Sequence, residues 1–347
     1  MGVIGLMEMG ITSFAETIPG FGDGPPIGHG ERLRQIIEEI DAAEAAGLDV
    51  YGLGEHHRPD FASSAPAVVL AAAAGRTSKI RLFPAVSILS TDDPVRVFQQ
   101  YATLDLVSSG RAELLVGRGS FIESFPLFGY DLQNYDELFA EKLDLLLQIR
   151  DNEAGLEWSG RFRPPIQGQG IYPRPERKLP VRVAVGGTPQ SIVRAATRGL
   201  PVALAIIGGS PDRFTAFADL HRRTLVESGY DPAEVPLSVH AHGYVADDDE
   251  QAVEDFYGPY AAAMTGLGRE RGWGPMTKQQ FDLMRSPEGS LVLGEPETVA
   301  AKILRWKEVL GVNRFELHIS VGTLPHDKVL RSIELLGSKV RPLIDQA

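Results

Sequence analysis

The sequence predicts a (β/α)8 barrel, the TIM-barrel class of α/β proteins, with insertions after the fourth and seventh strands. Short apolar segments alternate with segments of helical periodicity from one end of the chain to the other, and eight strands in such a pattern favour a closed barrel over an open sheet. The length of 347 residues suits one large barrel with insertions. We find no linker and no repeat of fixed period, so we expect a single domain over residues 1–347.

The predicted strands are short runs of mainly apolar residues. They lie at residues 3–9, 49–54, 80–89, 112–116, 181–185, 201–207, 237–245 and 314–321. Pro84 falls inside the third strand. Because proline cannot donate a ladder hydrogen bond, it predicts a bulge or bend at that point.

The predicted helices lie between these strands, where apolar residues recur at every third or fourth position, as at Leu33, Ile36 and Ile40. The start of the helix after the third strand is the best marked. The run Thr91-Asp92-Asp93 supplies acidic capping candidates, and Pro94 suits the first helical position.

Two segments break the alternation, and we predict that both are insertions. Residues 151–179 are rich in Gly and Pro and are predicted to form a loop excursion. Residues 265–294 hold Trp273 and follow a helix that we expect to end near Met264.

Composition excludes several classes of function. The net charge of -12, with no basic run to offset it, argues against a nucleic-acid partner. The chain has no cysteine, which excludes disulfides and thiolate metal sites. Its first ten residues lack a basic region and are interrupted by Glu8, and no apolar run approaches the ~20 residues of a membrane span. We therefore expect a soluble, cytoplasmic protein without a membrane partner.

The most informative motif is GEHHRPDF at residues 54–61, where the second strand runs out into a loop. In parallel α/β proteins the carboxyl ends of the strands are where ligands bind. His56 is a candidate acid/base, since the unperturbed pKa of histidine lies near neutrality. Successive residues leaving a strand point in different directions, so at most one of His56 and His57 faces a shared site. The alternative is that one histidine hydrogen-bonds the loop and the other is solvated.

The second motif is VGRG at residues 116–119, after the fourth strand. Small residues around Arg118 let a ligand approach closely while the guanidinium faces an anion. The alternative is that Arg118 pairs with a nearby acid on the barrel rim.

The third motif is GGTPQS at residues 186–191, between the fifth strand and its helix. Its glycines free backbone amides at a helix N-terminus, and Thr188 and Ser191 can both donate hydroxyls to one phosphate. The alternative is an ordinary helix cap formed by either side chain. An arginine and an anion-binding loop after adjacent strands together favour a dianionic phosphate.

The order of these motifs resembles the bacterial luciferase-like flavin-dependent monooxygenases. The matching segments are EHH at 55–57, the run at 89–119, VAVGGTPQS at 183–191 and FELHISVGTLP at 315–325. The resemblance spans nearly the whole chain and is most specific from residue 93 to 119, where helix, turn, strand and arginine share one register. It covers the two insertions only weakly.

The resemblance implies a (β/α)8 barrel that holds FMN at its mouth. It implies that the phosphate binds Arg118 and the glycine-rich turn, and that a non-prolyl cis peptide at Val86-Ser87 lies beneath the isoalloxazine. The implied cofactor-binding residues are Val86, Ser87, Gly117, Arg118, Gly186, Gly187, Thr188 and Ser191. His56 matches the family's catalytic acid/base. Some luciferases have a cysteine where this chain has Gly117, which would leave room at the ring and puts light emission in doubt.

The implied reaction uses reduced FMN and O2 to oxidise a small organic substrate. The chain has no GxGxxG after a strand, so the resemblance implies a separate NAD(P)H:flavin reductase and exchangeable FMN. Candidate substrate-side residues are Glu55, His57, Phe61, Phe121 and Trp273. The Ala-rich helix at 65–74 is expected to pack against a second copy in a homodimer, and the alternative is packing on its own barrel.

Two other functions stay open. His240 and His242 on the seventh strand place two imidazoles on one face, and His318 and His56 could join them in a metal-dependent hydrolase. Against this, no Asp ends the eighth strand and the phosphate loop would have no role. The other candidate is a deazaflavin- or FMN-dependent oxidoreductase without oxygenation, or a non-catalytic flavin-binding protein.

Overall fold

A computed structural model of the protein describes residues 6–17, 27–322 and 324–347. Within these ranges the strands are β1 (Glu8–Ser13), β2 (Val50–Leu53), β3 (Arg81–Ile88), β4 (Leu114–Gly117), β5 (Leu156–Trp158), β6 (Ile166–Gln169), β7 (Val181–Val185), β8 (Val202–Ile206), β9 (Leu237–Val245), β10 (Val292–Gly294) and β11 (Arg314–His318). The α-helices are α1 (His29–Ala45), α2 (Pro66–Ala74), α3 (Pro94–Val107), α4 (Ser124–Leu127), α5 (Tyr135–Asp151), α6 (Pro189–Ala196), α7 (Thr215–Glu227), α8 (Asp249–Arg271), α9 (Lys278–Arg285), α10 (Pro296–Leu310), α11 (His326–Leu335) and α12 (Arg341–Asp345).

Eight of these strands close into a parallel barrel. Their order around it is β1-β2-β3-β4-β7-β8-β9-β11, and β11 pairs again with β1 in a register that sets Thr12 opposite His318. Helices follow the strands, and strands such as β2 and β4 are buried along their whole length, as expected when a parallel sheet is covered on both faces. The predicted (β/α)8 barrel is confirmed.

The boundaries of the first and last barrel strands differ from the prediction. The first strand was expected at residues 3–9, of which 1–5 lie outside the described residues, and β1 instead runs from Glu8 to Ser13. Its polar end is buried because side-chain hydrogen bonds satisfy Thr12 and Ser13, which an apolar pattern does not reveal. The last strand ends at His318 rather than at residue 321.

The local signals near Pro84 and Pro94 have the predicted structural effects. The pairing of β3 with β4 shifts its register between Ala85 and Ser87, just after Pro84. The Asp93 side chain accepts a hydrogen bond from the amide of Val95 and caps α3, whose first residue is Pro94.

Both predicted insertions contain regular structure. Residues 151–179, expected to form a loop, include the antiparallel pair β5–β6. In the second insertion, α8 continues past the expected end near Met264 to Arg271, and Gly272 ends it in the left-handed conformation. The chain then forms α9 and β10, which pairs with the end of β9. The single-domain assignment stays a prediction.

None of the helices in the described ranges has the length and apolar character needed to cross a membrane. The cytoplasmic location stays a prediction.

Candidate active site

A cavity of about 940 Å³ opens where the barrel strands end at their carboxyl sides. The loops after β2, β4 and β7 and the far end of α8 surround it. Most of the residues predicted for the site line this cavity, namely Glu55, His56, His57, Phe61, Val86, Gly117, Arg118, Phe121, Gly186 and Trp273. The other four lie beside it: Ser87 is buried in β3, and Gly187, Thr188 and Ser191 lie at or just before the start of α6.

Glu55 and His57 both line the cavity and are hydrogen-bonded to each other. His57 Nε2 donates to Glu55 Oε1 over 3.0 Å, and the other carboxylate oxygen accepts from the Ile88 amide over 3.0 Å. The pair therefore ties the loop after β2 to the end of β3. Because His56 lies between these two hydrogen-bonded residues in the sequence, the arrangement restricts its backbone.

His56 is the histidine of the motif that is left unpaired. Its ring stacks on Phe61 with centroids 4.3 Å apart and lies edge-on to Phe14 and Phe121. Its Nε2 is buried without a hydrogen-bond partner in the described part of the chain. Burial, followed by the charges of His318, His57 and Arg58, lowers the pKa of His56 to about 3. At neutral pH His56 is thus an uncharged imidazole, which can exchange a proton with a ligand but does not stay protonated.

Arg118 and the glycine-rich turn come together on one side of the mouth. Arg118 donates from Nη1 to Asp136 Oδ1 over 2.6 Å and from Nη2 to Thr188 Oγ1 over 3.4 Å. The Thr188 and Ser191 hydroxyls lie 2.8 Å apart. Thr188 occupies the N-cap position of α6, yet its side chain makes no capping hydrogen bond. Arg118 therefore pairs with an acid, as the alternative predicted, and also reaches the turn, while its binding of an anionic ligand stays a prediction.

The glycines at the site differ in backbone conformation and in the space around them. Gly187 has φ of +116°, a conformation that L side chains rarely adopt, and nothing lies within 4 Å of a Cβ built on Gly186. The expectation that Gly117 leaves room at the ring is wrong. A Cβ there would lie 2.7 Å from Val86 Cγ2, so the Val86 side chain already fills that space.

The predicted cis peptide is displaced by one residue. The non-prolyl cis bond joins Ala85 to Val86, not Val86 to Ser87. It lies where the register between β3 and β4 shifts. Within such a bulge, a position inferred from the family resemblance can be wrong by one residue.

Sequence reasoning missed two charged residues beside Arg118. Arg194 Nη2 lies 3.6 Å from the same Asp136 Oδ1 that Arg118 contacts, and its Nη1 is buried with no hydrogen-bond partner among the described residues. Burial lowers the pKa of Arg194, and Asp136 opposes this. Arg194 lies three residues after Ser191 on α6, so helical spacing was the available signal. Asp136 had none, because only the fold brings α5 to this loop.

The cavity floor carries a second polar cluster. Thr12 Oγ1 lies 2.7 Å from His240 Nε2 and 3.1 Å from His318 Nδ1, and His318 Nε2 lies 2.9 Å from Glu16 Oε1. His242 also faces the cavity. No group of three or more His, Cys, Asp or Glu in the described ranges has an arrangement that could hold a metal ion. The metal-dependent hydrolase therefore gains no support from these histidines.

The second insertion reaches over the mouth. Arg58, in the loop after β2, donates to Glu270 at the end of α8 over 2.7 Å and to Glu123 over 3.0 Å. Its guanidinium lies 4.5 Å above the Phe121 ring, while Trp273 is 57% exposed at the rim. Aromatic rings and paired charges thus partly cover the space above His56.

A sequence model of the luciferase-like monooxygenases matches residues 7–314. The chain belongs to this family. The alkanal monooxygenase alpha chain of the Kryptophanaron alfredi symbiont is 27% identical over 231 residues, which are 66% of this chain and 63% of that protein. The predicted resemblance is confirmed.

Solved structures share the fold of this family member at low sequence identity. Monooxygenase RslO1 from Streptomyces bottropensis gives a TM-score of 0.83 at 22% identity and covers 97% of this chain and 99% of its own. The oxygenating constituent of 3,6-diketocamphane monooxygenase from Pseudomonas putida, in complex with FMN, gives 0.76 at 18% identity, with 97% and 98% covered. An F420-dependent secondary alcohol dehydrogenase with an F420-acetone adduct gives 0.77 at 18% identity, with 98% and 99% covered.

Proposed function

We propose that the protein is an FMN-dependent monooxygenase that uses reduced FMN and O2 to oxidise a small organic substrate. Membership of the luciferase-like family supports flavin-dependent oxidation in general. The observation that carries the choice of FMN is the meeting of Arg118 with the Thr188 and Ser191 hydroxyls at the cavity rim. Reduced flavin would come from a separate NAD(P)H:flavin reductase.

The residues at the rim fit a phosphate monoester. Two guanidinium groups and two hydroxyls converge there at the start of α6, and these are donors that suit a dianionic phosphate. Asp136 currently accepts from Arg118 and lies between it and Arg194. Because the Asp136 side chain is 67% exposed, we propose that it turns to solvent when a phosphate takes its place.

The body of the cavity fits a flat aromatic ring and an apolar substrate. Bound reduced flavin would supply the electrons and activate O2. The chain's own contribution is to exclude water with Phe61 and Phe121 and to hold the ring of His56 between aromatic neighbours. His56 would exchange a proton with the ligand at Nε2, the atom that has no partner among the described residues.

A second candidate is an F420-dependent oxidoreductase without oxygenation. It is favoured by the F420-dependent alcohol dehydrogenase, whose TM-score equals that of the FMN complex within 0.01. The two candidates differ in the cofactor's phosphate, which is a terminal monoester in FMN. A rim with two arginines suits the terminal dianion better.

We also propose that two copies associate through α2. One face of this helix packs on the barrel core with Ala73, while Val68 on the other face is 70% exposed next to the exposed Ala71 and Ala72. Small side chains permit a close helix contact across such a face. Light scattering should give the mass of a dimer, and a monomeric mass would refute the interface.

Oxygen consumption tests the proposed reaction. The full-length protein is mixed with a flavin reductase, NADH, FMN and a panel of apolar ketones, aldehydes and phenols, and O2 uptake is compared with the same mixture lacking the protein. Uptake that needs both protein and substrate, with an oxygenated product by mass spectrometry, is expected. Substrate oxidation with F420 in the absence of O2, and no product with FMN, would select the second candidate.

A further inference from the structure

Four side chains on the cavity floor form one continuous hydrogen-bond chain. It runs from Glu16 to His318, on to Thr12 and then to His240, with contacts of 2.9, 3.1 and 2.7 Å. Glu16, His318 and Thr12 are at most 5% exposed, whereas the half-buried His240 lines the cavity. The pairing of β1 with β11 sets Thr12 opposite His318, and the pairing of β11 with β9 places His240 two residues before the position opposite His318. The chain thus connects a buried carboxylate with the ligand space.

The carboxylate determines the direction of every hydrogen bond in the chain. An ionised glutamate only accepts hydrogen bonds, so Nε2 of His318 donates to Glu16. A neutral His318 then has a lone pair at Nδ1, which accepts from the Thr12 hydroxyl. The Thr12 oxygen in turn accepts from Nε2–H of His240. His240 is left with a lone pair on Nδ1, and that atom has no partner in the part of the chain described.

We propose that His240 is the ligand-facing end of a proton relay whose charge is held by His318 beside Glu16. When a ligand donates a proton to Nδ1 of His240, its O–H or N–H bond breaks and the electron pair stays on the ligand. The Nε2 proton of His240 passes to the Thr12 oxygen, and Thr12 gives its own proton to Nδ1 of His318. The net change is one proton moved from the ligand to His318, with no heavy atom displaced and no oxidation.

The relay moves the positive charge away from His240, which does not stabilise it. Burial, with the charges of His318 and Arg182, lowers the pKa of His240 to about 3, so His240 is a poor holder of positive charge. His318 Nε2 donates to the Glu16 carboxylate over 2.9 Å, so a proton delivered to Nδ1 would be added to a ring that already contacts an acid. The site therefore accepts a proton at one residue and stores the charge at another.

The geometry selects a ligand that presents a hydrogen-bond donor to the floor. In the proposed flavin reaction the donor is either a hydroxyl or enol of the substrate or the imide N–H of the flavin ring. Only this identification of the donor rests on the proposed function. Phe14 lies with its ring centroid 4.1 Å from that of His318 and 5.9 Å from that of His240, so an aromatic donor has a surface to lie against.

Nitrogen NMR of the full chain labelled with 15N-histidine tests the relay. At pH 8, His240, assigned by comparison with His240→Gln, should carry its proton on Nε2 and none on Nδ1. Thr12→Ser keeps the hydroxyl and should keep this tautomer. Thr12→Val has nearly the same shape and removes the hydroxyl, so the preference for one tautomer should be lost while the circular dichroism spectrum stays unchanged.

Titration identifies the donor. Phenol should move the Nδ1 resonance of His240, and anisole, which lacks the hydroxyl, should not. A shift with FMN alone assigns the donor to the flavin, and a shift with phenol alone assigns it to the substrate. A proton on Nδ1 in the free protein, an unchanged tautomer in Thr12→Val, or no shift with either probe would overturn the relay. Failure of the oxygen-consumption assay leaves these tautomers untouched, so the two proposals fail separately.

Discussion

The two ends of the barrel both bury charged groups, but they satisfy them differently. At the amino-terminal end, Arg314 forms two hydrogen bonds of 2.6 and 3.0 Å with Glu113, and Arg81 adds a third of 2.9 Å to the same carboxylate. At the carboxyl-terminal mouth, His56 Nε2 and Arg194 Nη1 are buried with no partner among the described residues. The Glu113 carboxylate is thus paired within the chain, whereas we propose that the two atoms at the mouth find their partner in a ligand.

The two ends thus differ in that one holds ion pairs that stabilise the fold and the other holds buried polar atoms that we propose contact a ligand. Burial alone raises the pKa of Glu113, but the charge and hydrogen bonds of Arg314, with Arg182 and Arg81, outweigh it and lower that pKa to about 2. For His56 burial acts unopposed. A paired group should therefore matter for the free energy of unfolding, and an unpaired one for binding and turnover.

The largest effect is expected at the amino-terminal end. Glu113→Gln removes the buried carboxylate that pairs with Arg314 and Arg81 and should lower the free energy of unfolding by about 3–5 kcal/mol. Chemical denaturation measures this. The matched control is Glu8→Gln, the same change in the same cluster at a side chain that is 36% exposed, which should cost about 1 kcal/mol or less. Equal losses in the free energy of unfolding for the two variants would mean that the buried and the exposed carboxylate contribute alike to stability.

At the mouth, His56→Ala should affect turnover rather than cofactor binding. We expect turnover to slow by ~10²-fold or more, about 2.7 kcal/mol of barrier, because the proton exchange at Nε2 is lost. FMN affinity should change little. Steady-state rates and a flavin titration of the same preparation check both parts, and near-normal rates would reject the acid/base role.

The two ends should lose stability in different ranges of acidic pH. The folded-state pKa values of His56 and His240, about 3, lie below the ordinary value of 6.5, so the folded protein binds fewer protons and stability is lost as pH falls below about 6.5. Each histidine contributes up to about 1.4 kcal/mol per pH unit. The stabilisation from Glu113 is present above its ordinary pKa of 4.5 and is lost only below that.

Urea denaturation between pH 7 and 5 therefore reports the histidines without Glu113. His242 and His221, whose pKa values burial also lowers, add to the slope, and His326, whose pKa is raised by its hydrogen bond to Glu39, opposes it. His56→Gln should flatten the slope in this range. A wild-type stability that stays constant from pH 6.5 to 5 would contradict the burial of neutral histidines at the mouth.

The smallest effect concerns the carboxylate that the phosphate would replace. Asp136→Asn removes a competing charge, and because Asp136 is exposed the gain should be at most about 1 kcal/mol, or roughly fivefold tighter FMN binding. Glu137→Gln makes the same charge change one residue along α5 and should have no such effect. Weaker binding of FMN to Asp136→Asn would mean that Asp136 positions Arg118 instead of competing with the ligand.

How much of the site was predictable depends on the range of the contacts. The barrel follows from the alternation of strand and helix patterns, and the meeting of Arg118 with Thr188 follows because neighbouring parallel strands end at the same edge. The Glu16–His318 pair joins residues 302 positions apart, and no local pattern marks it. The filling of the space at Gly117 by Val86 depends on packing across the bulge, which a residue-by-residue comparison with the family does not reveal.

The proposed function depends on a terminal phosphate bound by Arg118 and the turn at the start of α6. The most direct test compares the affinities of FMN and of riboflavin, which lacks the phosphate, for the wild-type protein and for Arg118→Ala by fluorescence titration. We predict that the wild type binds FMN at least roughly thirtyfold more tightly than riboflavin, about 2 kcal/mol, and that Arg118→Ala loses most of this ratio. An equal FMN-to-riboflavin ratio in the two proteins would contradict the account.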